Sequence, residues 1–281
     1  MNIWPSRETD SAALPRSASV ERAKIYGERR TGTTFVTDLI HRNFTVPLLF
    51  GMPGRAHRAE REKLMEGLAH EPIAVRRVVL DRIGEQENRC SISDTLGWKH
   101  MFPPLALLQS MPEFVDSTLF IVTVKHPVFW ALSFYRAPID VIYKFRRQDF
   151  SQFLRQPFVP TLRDGMEAPF YASIVEFYAD KVEGYRKLAA MVPHFELVRY
   201  EDLLTDVPGF VDLLTEKYRL VRQSGETSLR ETSTNHREGT FDSYREEYRL
   251  DRVREQVSSD DYDFIVQRFG RERLDWLGYD L

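Results

Sequence analysis

A loop with two glycines is the first part of this sequence whose residues are suited to ligand binding. Residues 27–34 (GERRTGTT), here called the glycine loop, follow a short apolar run and precede a helical pattern, with four residues between Gly27 and Gly32. This is the spacing of a phosphate-binding loop between a strand and a helix. Gly32 permits a tight turn, and amides at the start of a helix attract anions. An ordinary glycine turn capped by threonine would have the same letters, so the loop alone leaves both interpretations open.

The residue after the second glycine separates this loop from that of nucleoside triphosphatases. Those proteins carry a lysine there, which reaches the β- and γ-phosphates, whereas this chain has Thr33. The nearest cation comes earlier, at Arg30. The missing lysine argues against an ATPase or kinase and favours a site for a different anionic group. The hydroxyls of Thr33 and Thr34 add hydrogen-bond donors to such a site.

A second polar motif follows another short apolar run. Lys99 and His100 come directly after residues 95–98, which are predicted to form a strand. A histidine can accept a proton near neutral pH, and a lysine can stabilise negative charge on a transferring group. A lone histidine after a strand is more often structural, but open α/β sheets bind ligands at the carboxyl ends of their strands.

A third motif combines a cation with a hydroxyl. Lys125 ends an apolar run at residues 118–125, and Ser133 stands eight residues later in a predicted helix. If the chain turns at Pro127, about two helical turns bring Ser133 back beside the end of the strand. Singly, Lys125 would more often be a surface charge and Ser133 a helix residue without a role.

Four short apolar runs, each followed by a helical pattern, supply the elements that would position these motifs. The predicted strands are residues 23–27, 95–98, 118–125 and 195–200. The predicted helices are residues 33–44, 104–109, 128–135 and 208–218, with a longer amphipathic helix at 169–190. Strands that alternate with helices predict an α/β fold with three layers, α/β/α, around a central parallel sheet. Residues 139–167 and 221–244 fit neither element, and long segments of this kind are often lids or binding loops.

Length and composition limit the remaining possibilities. The 281 residues are 42% apolar, which predicts a single domain over residues 21–281 after a flexible leader at 1–20. A net charge of −3 gives no general attraction to nucleic acid. The lone Cys90 excludes an internal disulfide, and no metal-ligand cluster stands out. No apolar run approaches the roughly 18 residues that span a bilayer, so we expect a cytoplasmic protein without membrane insertion. Oligomeric state is not encoded in these patterns.

Taken in order, the motifs resemble the sulfotransferases that use PAPS (3′-phosphoadenosine 5′-phosphosulfate). The likeness consists of the glycine loop, K-H-x-x-P at residues 99–103, K-x-P with a later serine at 125–133, and Tyr-Glu-Asp-Leu at 200–203. It implies a P-loop NTPase-like sulfotransferase fold. It also implies transfer of a sulfuryl group from PAPS to a hydroxyl or amine of a carbohydrate or small metabolite. PAP would be the second product, and no metal would be required.

The resemblance also implies roles for individual residues. Those expected to bind the 5′-phosphosulfate are Arg30, Thr31, Gly32, Thr33 and Thr34, with Phe35 against the adenine. Those expected at the 3′-phosphate and the adenine are Lys125, Ser133 and Tyr200, followed by Arg237 and Gly239 in a C-terminal loop. His100 would be the catalytic base, and Arg30 and Lys99 would offset negative charge. Lys125 stands where the family has an arginine, so it keeps the charge without the bidentate fork.

Two other functions remain open at this point. One is a P-loop nucleotide kinase or NTPase, which would bind Mg-ATP in place of PAP. The other is a non-catalytic protein that binds a nucleotide with the same fold.

Overall fold

The computed structural model describes residues 19–51, 58–136, 148–229 and 240–279. The predicted nucleotide contacts Arg237 and Gly239 lie outside the described residues, as does most of the predicted leader at 1–20.

A parallel sheet of three strands lies at the centre of the described part. The strands are β1 (Arg22–Tyr26), β2 (Thr118–Val124) and β3 (Phe195–Arg199), in the spatial order β1-β2-β3. Ile121 of β2 pairs with Ile25 on one side and with Glu196 on the other. Every residue of β2 is buried, as expected for a central parallel strand covered on both faces. Three of the four predicted strands are therefore confirmed, to within one residue at each end.

Helices connect and cover these strands. They are α1 (Thr33–Asn43), α2 (Arg58–Gly67), α3 (Ile73–Thr95), α4 (Leu105–Gln109), α5 (Pro112–Asp116), α6 (Pro127–Arg136), α7 (Phe150–Arg155), α8 (Ile174–Met191), α9 (Tyr200–Thr205), α10 (Val207–Tyr218), α11 (Phe241–Glu247), α12 (Ser259–Phe269) and α13 (Arg271–Leu277). Two 3₁₀ turns occupy Leu162–Asp164 and Leu250–Gln256. The long amphipathic helix, α8, begins later than predicted because the Ser173 hydroxyl accepts the N–H of Glu176 and caps it there.

The side chains of β2 divide the core between two faces of the sheet. Phe120 and Val122 pack on one face with residues of α6 and α8. Leu119 and Ile121 pack on the other face with residues of α1 and α10. Successive side chains of a strand point to opposite faces of the sheet, which produces this division. The packing of helices on both faces confirms the predicted three-layer α/β/α arrangement.

The predicted strand at residues 95–98 is wrong. Helix α3 continues to Thr95, and the chain then turns at Leu96 and Gly97, both left-handed at φ 56° and 78°. The N–H of Leu96 still bonds to the carbonyl of Ile92 at 2.9 Å, so this turn is the end of a helix. A short apolar run cannot be told from the last turn of a helix by periodicity, which explains the error.

Helix α3 itself has no counterpart among the predicted elements. Its apolar residues are spread around the helix and do not form one stripe, so the helical period is weak in the sequence. The first unassigned segment, 139–167, contains α7 and the first 3₁₀ turn where it is described. Within the described ranges, no helix is long and apolar enough to cross a bilayer.

Candidate active site

The glycine loop makes a tight turn that packs against a tyrosine ring. Arg30 and Gly32 both adopt left-handed conformations, at φ 72° and 89°. A Cβ atom at Gly32 would lie 2.4 Å from Cδ2 of Tyr200, so only glycine allows this contact. Gly32 also starts α1 without a side-chain cap, which leaves the first amides of the helix suited to an anion.

The three threonines of the loop have different positions. The Thr31 hydroxyl donates to the carbonyl of Glu28 at 2.7 Å and lies 3.0 Å from the hydroxyl of Thr123, so it ties the loop to β2. Thr33 is buried, whereas Thr34 is exposed and accepts a hydrogen bond from Lys99 Nζ at 3.0 Å. Lys99 therefore reaches the glycine loop.

His100 lies against the first residue of the same loop. Its Nδ1 is 2.7 Å from the carbonyl oxygen of Gly27, which can only accept, so Nδ1 carries the hydrogen. Nε2 then holds a lone pair, and the described residues offer it no hydrogen-bond partner. Burial, with the nearby charges of Lys99 and Arg29, holds the pKa of His100 well below its usual value. The imidazole is therefore neutral at pH 7 and able to accept a proton at Nε2.

Side chains of β1 hold the turn that carries His100. Lys24 Nζ donates to the carbonyl of Thr95 at 2.6 Å and to that of Gly97, and the Tyr26 hydroxyl donates to the carbonyl of Leu96. These bonds satisfy the last carbonyls of α3, which a helix leaves without partners. They place His100 at the carboxyl end of the sheet, as predicted. His100 follows the end of a helix, however, and not the end of a strand.

Four buried charged residues lie beneath His100, and we call them the charge cluster: Glu28, Arg29, Asp164 and Lys181. Arg29 Nη1 lies 2.8 Å from Glu28 Oε1 and 2.7 Å from Asp164 Oδ1. Lys181 Nζ donates to the carbonyl of His100 at 2.6 Å and to that of Asp164 at 2.9 Å. The cluster thus joins α8 and the first 3₁₀ turn to the backbone of His100.

Burial and mutual charge act against each other within the charge cluster. Burial acts to raise the pKa of Asp164, but the charges of Arg29 and Lys181 outweigh it and hold that pKa below its usual range. Burial raises the pKa of Glu28 and lowers the pKa of Lys181. None of these four residues is among the site residues predicted from the sequence. The available signal was Lys181, which stands between Tyr178 and Tyr185 on the apolar face of α8.

A second group of side chains, the tyrosine cluster, contains Lys125, Ser133, Tyr200 and Tyr248. Lys125 Nζ lies 3.5 Å from the Ser133 hydroxyl, and that hydroxyl lies 3.1 Å from the hydroxyl of Tyr248. The same ammonium sits 4.3 Å from the ring centre of Tyr200 and 4.0 Å from that of Tyr248. Lys125 and Ser133 are therefore together, as predicted, and Tyr248 joins them without having been identified in the sequence.

Tyr200 connects the two predicted halves of the site. One part of its ring packs on Gly32, and Lys125 lies over its face. The glycine loop, the end of β2 and the start of α9 consequently meet at a single side chain. The backbone of Lys125 is fixed at this point, since its N–H donates to the Tyr178 hydroxyl at 3.0 Å and its carbonyl accepts from the same hydroxyl at 2.9 Å.

The solved structures to which this chain is similar include two sulfotransferases. The sulfotransferase domain of the Synechococcus PCC 7002 olefin synthase is 16% identical at a TM-score of 0.49, over 95% of this chain and 98% of that one. Sulfotransferase STF1 from Mycobacterium tuberculosis H37Rv is 14% identical at a TM-score of 0.41, over 90% of this chain and 77% of that one. The chain resembles solved sulfotransferases. No family model and no curated protein matches it.

Phe35, expected at the adenine in a sulfotransferase, packs against Phe241 of α11 with 6.1 Å between ring centres. Helix α11 therefore lies between Phe35 and the tyrosine cluster. Phe241, its first residue, contacts Phe35, and Tyr248 directly follows its last residue. In the part of the chain that the structure describes, no group of three or more His, Cys, Asp or Glu side chains is placed to hold a metal ion.

Proposed function

We propose that this protein is a sulfotransferase that moves a sulfuryl group from PAPS to an acceptor hydroxyl or amine, with His100 as the base. The observation that supports this most is the hydrogen bond from His100 Nδ1 to the carbonyl of Gly27. It presents a neutral, proton-accepting Nε2 at the start of a loop that is suited to an anion. A histidine held in this tautomer, beside a loop suited to an anion, would be able to remove a proton during group transfer.

The residues present fit the two ends of a bisphosphorylated adenosine. The amides after Gly32, with Arg30 of the same loop, would hold the 5′-phosphosulfate. Lys125 and Ser133, 3.5 Å apart, would hold the 3′-phosphate. Tyr200, between these two places, and Phe35 would contact the adenosine.

The chemistry that we propose is a direct in-line transfer. The donor supplies an activated sulfuryl group, whose bond to the 5′-phosphate oxygen breaks as the acceptor oxygen or nitrogen bonds to sulfur. The phosphate keeps the electron pair of the broken bond, and the acceptor proton goes to Nε2 of His100. Lys99, held at the glycine loop by Thr34, would offset the negative charge of the transferring group together with Arg30.

We further propose a carbohydrate or a small metabolite as the acceptor. A cytoplasmic location and a single domain over residues 21–281 also remain proposals. Limited proteolysis tests the domain boundary, since we expect cleavage before residue 21 to leave a folded product.

Ligand-dependent stability tests the proposed cofactor class. Thermal unfolding is measured with PAP, Mg-ATP, ADP or NAD, because a ligand that binds only the native state stabilises it by about 2.7 kcal/mol at 100 times its Kd. We expect PAP to raise the Tm most. Transfer of labelled sulfuryl groups to a panel of acceptors is then measured. Stabilisation by Mg-ATP but not by PAP would favour a kinase or NTPase, and PAP binding without transfer would favour a non-catalytic nucleotide-binding protein.

A further inference from the structure

Tyr248 places a hydroxyl where the proposed function puts the phosphate on the ribose. Its oxygen is 3.1 Å from the Ser133 hydroxyl, which is itself 3.5 Å from Lys125 Nζ. The ammonium of Lys125, the Ser133 hydroxyl and the Tyr248 hydroxyl thus form a row in which neighbouring groups are within hydrogen-bonding distance. All three groups can donate hydrogen bonds to an oxyanion.

Packing fixes the position of the Tyr248 ring. The ring meets Phe129 edge-on at 5.4 Å and Tyr200 edge-on at 5.5 Å, and its face covers the ammonium of Lys125. Tyr248 is only 7% exposed, so the ring is not a mobile surface group. Rotation of the hydroxyl hydrogen is the main freedom left to it.

An ion pair and a hydrogen bond also hold helix α11, which ends directly before Tyr248. Glu247 forms an ion pair of 2.5 Å with Arg136 of α6, the helix that bears Ser133. Arg245 Nε donates to the carbonyl of Leu204 in α9 at 3.0 Å. Helix α11 is therefore tied to both neighbouring helices of the tyrosine cluster, which keeps the two hydroxyls together.

We propose that the Tyr248 hydroxyl is a third ligand of the 3′-phosphate, beside Lys125 and Ser133, and that it selects nucleotides that carry this phosphate. This inference rests on the proposed function. The aromatic faces around Lys125 exclude water from the ammonium, which strengthens its attraction for an anion. A nucleotide without the 3′-phosphate would leave both hydroxyls without that partner and gain nothing from them.

Tyr248→Phe removes the hydroxyl and keeps the ring, so the contacts with Lys125 and Phe129 remain. Dissociation constants are measured by calorimetry for PAP and for adenosine 5′-monophosphate, which lacks the 3′-phosphate. We expect PAP to bind about tenfold or more weakly, the usual cost of losing a hydrogen bond to a charged group. We expect the affinity for adenosine 5′-monophosphate to change by less than about twofold, since that ligand does not reach the hydroxyl.

Tyr262→Phe is the matched control, because Tyr262 is also buried at 7% exposure and its ring packs against Arg254. It should leave both dissociation constants unchanged. Unaltered PAP affinity in Tyr248→Phe, or an equal loss for both nucleotides, would overturn the inference while leaving the proposed function intact. A wild-type protein that does not distinguish PAP from adenosine 5′-monophosphate would overturn both, and this outcome is visible before any variant is made.

Discussion

Two buried cations of this protein differ in the side chains that lie directly against them. Lys181, in the charge cluster, lies 3.6 Å from Glu28 and 3.5 Å from Asp164 and donates to two carbonyls. Lys125, in the tyrosine cluster, lies against two aromatic faces and a serine hydroxyl, and its charge also acts to lower the pKa of the buried Glu201 carboxyl. The first arrangement compensates its charges internally and holds the backbone of His100. The second presents a cation and hydroxyl donors, which suits an anion from outside.

The contrast separates residues that hold the site together from residues that we propose bind the nucleotide. A buried cation that is paired with buried carboxylates contributes to the folded structure, because its removal leaves those carboxylates buried without a counter-charge. A buried cation among rings and hydroxyls can be replaced by an apolar side chain with less structural loss. Substitutions in the two clusters should consequently differ in what they change.

The largest effect is expected for Lys181→Met. The substitution leaves Glu28 and Asp164 with one cation fewer and takes the donor from the carbonyl of His100. We expect the free energy of unfolding to fall by about 3–5 kcal/mol, the usual cost of removing one partner of a buried ion pair. Urea denaturation measures the change. Lys187→Met, an exposed lysine of the same helix, is the control, and a similar small change in both variants would contradict the role of the cluster.

The next effect is on catalysis. His100→Ala removes the proposed base, so turnover should fall by about 10²-fold or more while PAP still binds. Steady-state kinetics give the turnover, and calorimetry with PAP shows whether the nucleotide site is intact. Unchanged turnover would exclude His100 from the mechanism.

Lys125→Met tests the other side of the comparison. Loss of the ammonium should weaken PAP binding by about tenfold or more, because a charged contact with phosphate is lost. The free energy of unfolding should fall by much less than in Lys181→Met, since a methionine can occupy the space between the two rings. A destabilisation as large as that of Lys181→Met would show that the two clusters do not differ in this way.

The smallest effect concerns the pH dependence of turnover. Burial lowers the pKa of Lys99 to about 8, so its ammonium is lost as the pH rises through that value. If that charge supports transfer, turnover should fall by a few-fold above about pH 8, and Lys99→Arg should move the fall to higher pH because arginine stays protonated. The pKa of His100 lies well below its usual value, so the base stays neutral at pH 6.5 and turnover should not fall there. A turnover that stays level through pH 8 in the wild type would exclude the charge of Lys99.

The sequence by itself determined the central sheet and the positions of the main site motifs. β2 is a continuous apolar run, and Gly32 precedes a helical pattern, so local composition specified the strand, the turn and the start of α1. Lys125 and Ser133 met as predicted because a strand, a proline and a helix over eight residues leave little choice of geometry.

Only the tertiary structure decided which distant residues complete the site. The turn after α3 carries His100 to the glycine loop because Lys24 and Tyr26 of β1 bind its carbonyls, and no local pattern encodes these contacts. Asp164 reaches Arg29 across 135 residues, and Tyr248 reaches Ser133 across 115. Apolar periodicity reports which face of an element is buried, but it does not report which element will cover that face.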